Sequence, residues 1–256
     1  MQKSLIYYHR AYRTITGSGW ILLLEFIALA IPLSLAVLFF YAPVTQQMSK
    51  IAYTILSEYY LPGSVILLEK TYLLGNVLIV DLPSRYTTTL ICLVNFIVSL
   101  ILILFLPRLK TGKNIAIYTV FLAIINIVSA IFFTMAPFDF PYTNQNFSEL
   151  YVKSEVSMWL FIPLALSVAI LPLPAPILPK ILLVILTLIY SVIFGTLRYI
   201  IFLFILSKFS VIYMALLFFA FGPLIDFIYI VGIYSFYTSR LAKNLKGSKS
   251  VWKWLY

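Results

Sequence analysis

Four side chains lie within long apolar runs and could do chemistry there: Glu25, Cys92, Arg198 and Asp226. A charge at the centre of a membrane helix costs roughly 2.5–3.5 kcal/mol on insertion scales, so Glu25, Arg198 and Asp226 should each face protein or water. Arg198 and Asp226 belong to successive runs joined by the tight connection Ser207–Ser210. The long arginine side chain can bridge them across that hairpin, although at ~1.5 Å rise per residue their depths differ by roughly 10 Å, which leaves a direct pair open. The readings open at this point are a structural staple across the hairpin, an arginine that snorkels outward, and one station of an ion path. A path needs a chain of such groups, and this set is sparse. A guanidinium near Cys92 would favour its thiolate. A nucleophilic thiol also needs a group that moves protons, and guanidinium does not deprotonate. The only histidine, His9, lies close to the N-terminus, outside any apolar run. Cys92 is therefore expected to be a small packing residue rather than a nucleophile.

The elements that position these residues follow from composition. Of 256 residues, 63% are hydrophobic and 10% charged. A soluble domain carries roughly 25% charged residues, and so few charges cannot cover a water-exposed surface. Mean hydropathy is +1.05, and several runs reach the ~20 residues that cross a bilayer as helix. The chain reads as a polytopic all-α membrane protein. One cysteine excludes an intrachain disulfide, and one histidine excludes haem pairs and His-rich metal sites. The sequence contains no phosphate-binding glycine loop, no HExxH and no CxxC. No cofactor and no metal are expected. The formal net charge of +10 fits cytoplasmic retention of basic loops and contact with anionic lipid, not nucleic acid.

Six spans are expected, at about 20–41, 86–106, 115–135, 158–173, 180–206 and 211–237. Residues 1–19 read as a cytoplasmic interfacial helix and 238–256 as a basic, aromatic surface tail. Between them, 20–237 forms the membrane domain. Segments 42–85 and 136–157 read as external, the first as one or two amphipathic elements on the membrane surface. Ordered long loops often bind something. With six spans, the side holding both termini carries twelve Lys and Arg and no acid. The other side carries five, with six acids. The excess of Lys and Arg marks the cytoplasmic side, so both termini are expected there, in the plasma membrane.

Over roughly Val77 to Ala165 the layout resembles the exosortase/archaeosortase family, membrane enzymes that cut and transfer sorted proteins at the external face. The shared features are Cys92 early in an outside-to-inside span, the basic loop Arg108-Leu109-Lys110-Thr111-Gly112-Lys113, and Asn126-Ile127-Val128-Ser129 in the next span. The family has Asn-x-x-Arg at such a place, and Ser129 stands where its arginine is expected. Its histidine at the outer start of the following span would fall near Lys153 to Ser157, where none occurs. The context Thr89-Leu90-Ile91-Cys92-Leu93 lacks the small residue and glycine that usually follow the cysteine. Gly195-Thr196-Leu197-Arg198-Tyr199 is a second candidate for the arginine, at a spacing far longer than the family's. The resemblance thus implies the scaffold with a degenerate catalytic set.

The leading expectation is a non-catalytic polytopic subunit or scaffold of an envelope-associated complex, such as exopolysaccharide assembly or secretion. Its partners would be membrane lipids and other membrane or envelope subunits. The alternatives are an exosortase-like cysteine transpeptidase using Cys92 and Arg198, and a small-molecule or lipid transporter using Arg198 and Asp226.

Overall fold

A computed structural model describes residues 19–106, 112–137, 139–173 and 175–244. The expected interfacial helix (1–18 of it) and the end of the basic tail (245–256) lie outside the described residues. The order of elements is α1 (Gly19–Ser57), β1 (Ile66–Tyr72), β2 (Gly75–Asp81), α2 (Thr89–Phe105), α3 (Lys113–Met135), α4 (Asn144–Ile170) and α5 (Ile177–Lys208). A 3-10 turn (Val211–Tyr213), α6 (Met214–Phe221) and α7 (Pro223–Asn244) follow. Among the described residues, five helical stretches are long and apolar enough to cross a membrane: α1, α3, α4, α5 and Val211–Leu241. At 17 residues α2 is shorter and strongly apolar. The described residues form a predominantly helical membrane protein with one β-hairpin.

Three departures from the sequence expectation have local causes. First, α1 does not stop near Tyr41 but continues to Ser57. Tyr41, Thr45, Met48, Ser49, Ala52 and Leu56 are all buried, and their spacing of three and four is one helical face. No glycine interrupts the chain between Gly19 and Gly63, and membrane helices accommodate prolines such as Pro32. Second, residues 66–81, expected only as part of one or two amphipathic surface elements, form a two-stranded antiparallel hairpin, with Ile66 opposite Asp81 and Tyr72 opposite Gly75. Val77, Ile79 and Val80 are buried, and backbone contacts bind the hairpin to helices. The Ser49 hydroxyl donates to the Leu78 carbonyl at 2.5 Å, and the Tyr41 hydroxyl to that of Tyr72 at 2.5 Å. Third, the expected sixth span is not one helix. It breaks at Gly222, between α6 and α7.

Segment 136–157 is likewise only partly a loop. From Asn144 it is the first half of α4. Phe147, Ser148, Tyr151, Val152, Glu155, Val156 and Trp159 are buried along it. This continuous stripe joins the polar residues to the apolar ones that follow. The Asn144 side chain donates to the Pro83 carbonyl at 3.1 Å.

The chain forms two compact units. One gathers Trp159–Tyr190 with the described residues of Met1–Phe39 and Ile228–Tyr256. Its core includes Leu29, Ala30, Trp159, Ile162, Leu166, Ile170 and Val184, with Tyr190 and Tyr229 packed edge to face, ring centroids 5.0 Å apart. The other comprises Phe40–Met158 and Ser191–Phe227. It contains the hairpin, α2 and α3. There the Tyr118 hydroxyl of α3 donates to the Ala220 carbonyl at 3.1 Å, and the Val211 amide donates to the Arg85 carbonyl at 3.0 Å.

Candidate functional site

Three charged side chains converge in the second unit. Arg198 from α5 is 5% exposed, and Glu155 from α4 and Asp226 from α7 are each 2% exposed. The two terminal nitrogens of the guanidinium divide the work. Nη2 donates to Glu155 Oε1 at 2.5 Å and to Asp226 Oδ1 at 2.6 Å. Nη1 donates to the carbonyls of Phe221 at 3.0 Å and Gly222 at 2.9 Å. Those two carbonyls sit at the break between α6 and α7, where the helical ladder leaves acceptors unsatisfied. The planar fork suits a set of several acceptors in a way that a lysine ammonium does not.

Local sequence makes this geometry possible. Gly222 forms the break, and a Cβ there would lie 2.3 Å from the Phe218 carbonyl oxygen. Pro223 follows as the first residue of α7, where a missing N–H costs nothing. Asp226 then falls in the first turn of α7, where the helix dipole favours a negative charge. Gly195 lies one turn before Arg198, and a Cβ there would sit 2.6 Å from Glu155 Oε2. The absent side chain is the space the carboxylate occupies. Aromatic rings close the cluster. The guanidinium carbon lies 5.1 Å from the Phe194 ring centroid and 5.9 Å from that of Tyr151. The Tyr151 hydroxyl donates to the Gly195 carbonyl at 2.9 Å, and its ring stacks on Tyr199 at 5.3 Å. Tyr199 in turn accepts from the Val80 amide at 2.9 Å and hydrogen-bonds Ser148.

The structure thus joins Arg198 directly to Asp226. The depth difference disappears because the 3-10 turn and the break at Gly222 replace the straight helix assumed in counting rise. Sequence reasoning missed Glu155, which lies within the segment read as an external loop. A signal was present: with Tyr151 and Trp159, Glu155 falls at four-residue spacing on a face that is otherwise apolar. Glu25 belongs to a different constellation. Its Oε1 accepts from Lys180 Nζ at 2.5 Å, and Lys180 also donates to the Leu171 carbonyl at 3.3 Å. The Lys180 side chain is 2% exposed, at the residue where the expected span 180–206 begins.

Cys92 is free, buried and remote in character from this cluster. An apolar groove of about 250 Å³ beside it is lined by Thr89, Leu93, Phe96, Ala130, Ile131, Thr134 and Met135. These supply no imidazole, ammonium or guanidinium. Asn126 donates to Ser99 Oγ at 2.8 Å and Asn95 Oδ1 at 3.2 Å, a polar clasp between α2 and α3. Among the described residues, no group of three or more His, Cys, Asp or Glu could hold a metal ion. No family model, curated protein or solved structure matches the chain.

The space at Gly195 gives a direct check by thermal unfolding in detergent. Gly195→Ala should destabilise by about 1–3 kcal/mol, the range for overpacking a filled interior. Gly232→Ala, in α7 with nothing within 4 Å of the new Cβ, should stabilise by about 0.5–1 kcal/mol.

Proposed function

We propose that the protein is a non-catalytic polytopic subunit or scaffold of an envelope-associated membrane complex. The observation that carries this reading is how the reactive side chains are used. Arg198 spends its terminal nitrogens on two carboxylates and two backbone carbonyls. Cys92 sits against a groove without a base. The asparagine that contributes to the exosortase-like layout is engaged in a helix–helix clasp. A transpeptidase would need an activated thiol, and these surroundings supply no activating group. The broken helix and its buried charges are features also met in carriers, whose half-helix C-terminal ends coordinate a coupling ion. Here a guanidinium occupies that position, which favours a fixed support over a transit site.

In this reading the chain crosses the plasma membrane six times with both termini in the cytoplasm. The sixth crossing is formed by α6 and α7 together, and α2 supplies the shortest. The hairpin and the residues around 136–157 face outward and meet partner subunits or polymer. The basic cytoplasmic side meets anionic lipid.

Two experiments test the reading. For topology, single cysteines placed in a Cys92→Ala background are labelled with an impermeant thiol reagent on intact cells. Asp139→Cys, at an exposed position, should label, and Ser248→Cys should label only after the membrane is opened. The opposite pattern would invert the orientation. For activity, the Cys92→Ala protein, purified in mild detergent, should retain its fold and the same stably bound envelope subunits as the wild type. Loss of a protein cleavage or transfer reaction in a well-folded Cys92→Ala protein would replace the scaffold reading with the transpeptidase one.

A further inference from the structure

The turn of the β-hairpin is made from residues that a tight turn does not favour. Tyr72 pairs with Gly75, so Leu73 and Leu74 alone make the connection. Leu73 holds φ at +51°, a conformation that costs a residue with a Cβ and that glycine normally supplies at the first position of such a turn. Both leucines project from the hairpin, Leu73 54% and Leu74 78% exposed. In water they would forfeit the gain from burying apolar surface. Backbone strain and exposed apolar surface therefore coincide at one point, as they do at sites that serve a purpose beyond the fold.

Two helices fix where that point lies. The apolar run of α1 ends at Tyr41, whose hydroxyl donates to the Tyr72 carbonyl at 2.5 Å. Farther along α1, Ser49 holds Leu78. A Cβ at Gly75 would lie 3.1 Å from Tyr41 Oη, so the turn is seated close against the helix. On α4 the order is the same. Asn144 donates to the Pro83 carbonyl beyond the open end of the hairpin, Ser157 hydrogen-bonds the Tyr72 hydroxyl at 2.8 Å, and the apolar run begins at Met158. Both helices thus place the turn where their apolar runs meet their polar segments. The open end lies roughly 20 Å away on the polar side, at ~3.3 Å rise per residue. Charge follows the same axis, because the strands carry Glu69, Lys70 and Asp81 while the turn carries none. Lys153 Nζ lies 5.7 Å from the Tyr72 ring centroid, and tyrosine with a lysine able to snorkel is the rim expected at a membrane interface. We propose that the Leu73–Leu74 turn inserts into the lipid leaflet that α1 and α4 enter, so that acyl chains cover its two leucines. Phe40, one residue before Tyr41, is exposed as well and adds apolar surface to α1 at the same level. A partner arriving from water meets the open end of the hairpin first, whereas lipid is the apolar phase at the level of the turn. The inference goes beyond the subunit reading. It rests on placing 20–41 and 158–173 in the membrane and not on which side they face.

Spin labelling of the full chain in vesicles of phosphatidylethanolamine and phosphatidylglycerol tests it. In a Cys92→Ala background, nitroxides are attached at Leu74→Cys and at Ile66→Cys, the exposed open end of the hairpin. A third, at Leu35→Cys, occupies an exposed position in the apolar run of α1. Collision with oxygen reports lipid, and collision with a water-soluble nickel chelate, present on both sides, reports water. The oxygen-to-chelate ratio at Leu74 should approach that at Leu35 and exceed that at Ile66 several-fold. A ratio at Leu74 equal to that at Ile66 puts the turn in water and overturns the proposal. Protection from both reagents means that protein covers the leucines, and overturns it too. A low ratio at Leu35 removes the first span itself, and the proposal falls with it. A second measurement needs no variant. Phospholipid with a photoreactive group on its acyl chain should crosslink to the segment around Leu73 and Leu74 of the wild-type chain. Crosslinks confined to the helices would overturn the proposal even if the labelled variants fail to fold.

Discussion

The guanidinium of Arg198 holds together three helices that the backbone alone would leave apart. A helix broken inside a membrane protein exposes carbonyls that no lipid can satisfy. Arg198 supplies donors to two of them, at Phe221 and Gly222, and turns its other terminal nitrogen to Glu155 and Asp226. Each partner needs the others. Without the carboxylates the guanidinium would be a buried, uncompensated cation. Without the guanidinium the break at Gly222 would be unsupported. The glycines follow from the same requirement, since Gly195 leaves room for Glu155 and Gly222 permits the break.

Much of the membrane architecture was legible in the sequence because it rests on bulk properties. Runs of apolar residues near bilayer length, interrupted by basic or proline-rich connections, mark spans whatever their packing. The intramembrane charges Glu25, Arg198 and Asp226 were visible for the same reason. Their partners were less so. Asp226 was visible, but counting depth along an ideal helix separated it from Arg198, because the break at Gly222 has no effect on hydropathy. Glu155 and Lys180 lie where apolar runs meet polar segments, and composition alone assigns such residues to water. Only the helical phase of Tyr151, Glu155 and Trp159 indicates otherwise. The continuation of α1 through Ser57 is also a matter of phase rather than hydropathy. The hairpin at 66–81 mixes charged and apolar residues, and its register depends on contacts with Ser49, Tyr41 and Tyr199 that no local pattern announces.

The exosortase-like layout gains a physical interpretation from these contacts. Cys92 and Asn126 are embedded in the packing of α2 and α3. Asn126 binds Ser99 and Asn95, a polar tie of the kind that holds membrane helices together where lipid offers no hydrogen bonds. The Arg198 segment, set aside for its distance from Cys92 in sequence, instead anchors a separate constellation. The residues that suggested chemistry thus divide into two structural devices, a clasp and an ion cluster, and both serve to fix the arrangement of helices. The proposed supporting role rests on this use of the two sets of residues.

The central claim is that Arg198 is the structural keystone of the second unit. Its most direct test is the unfolding free energy of Arg198→Leu in detergent, relative to wild type. Removing one partner of a buried ion cluster typically costs about 3–5 kcal/mol, and a loss of that size is predicted. A change within about 0.5 kcal/mol, as for an ordinary surface substitution, would contradict the account.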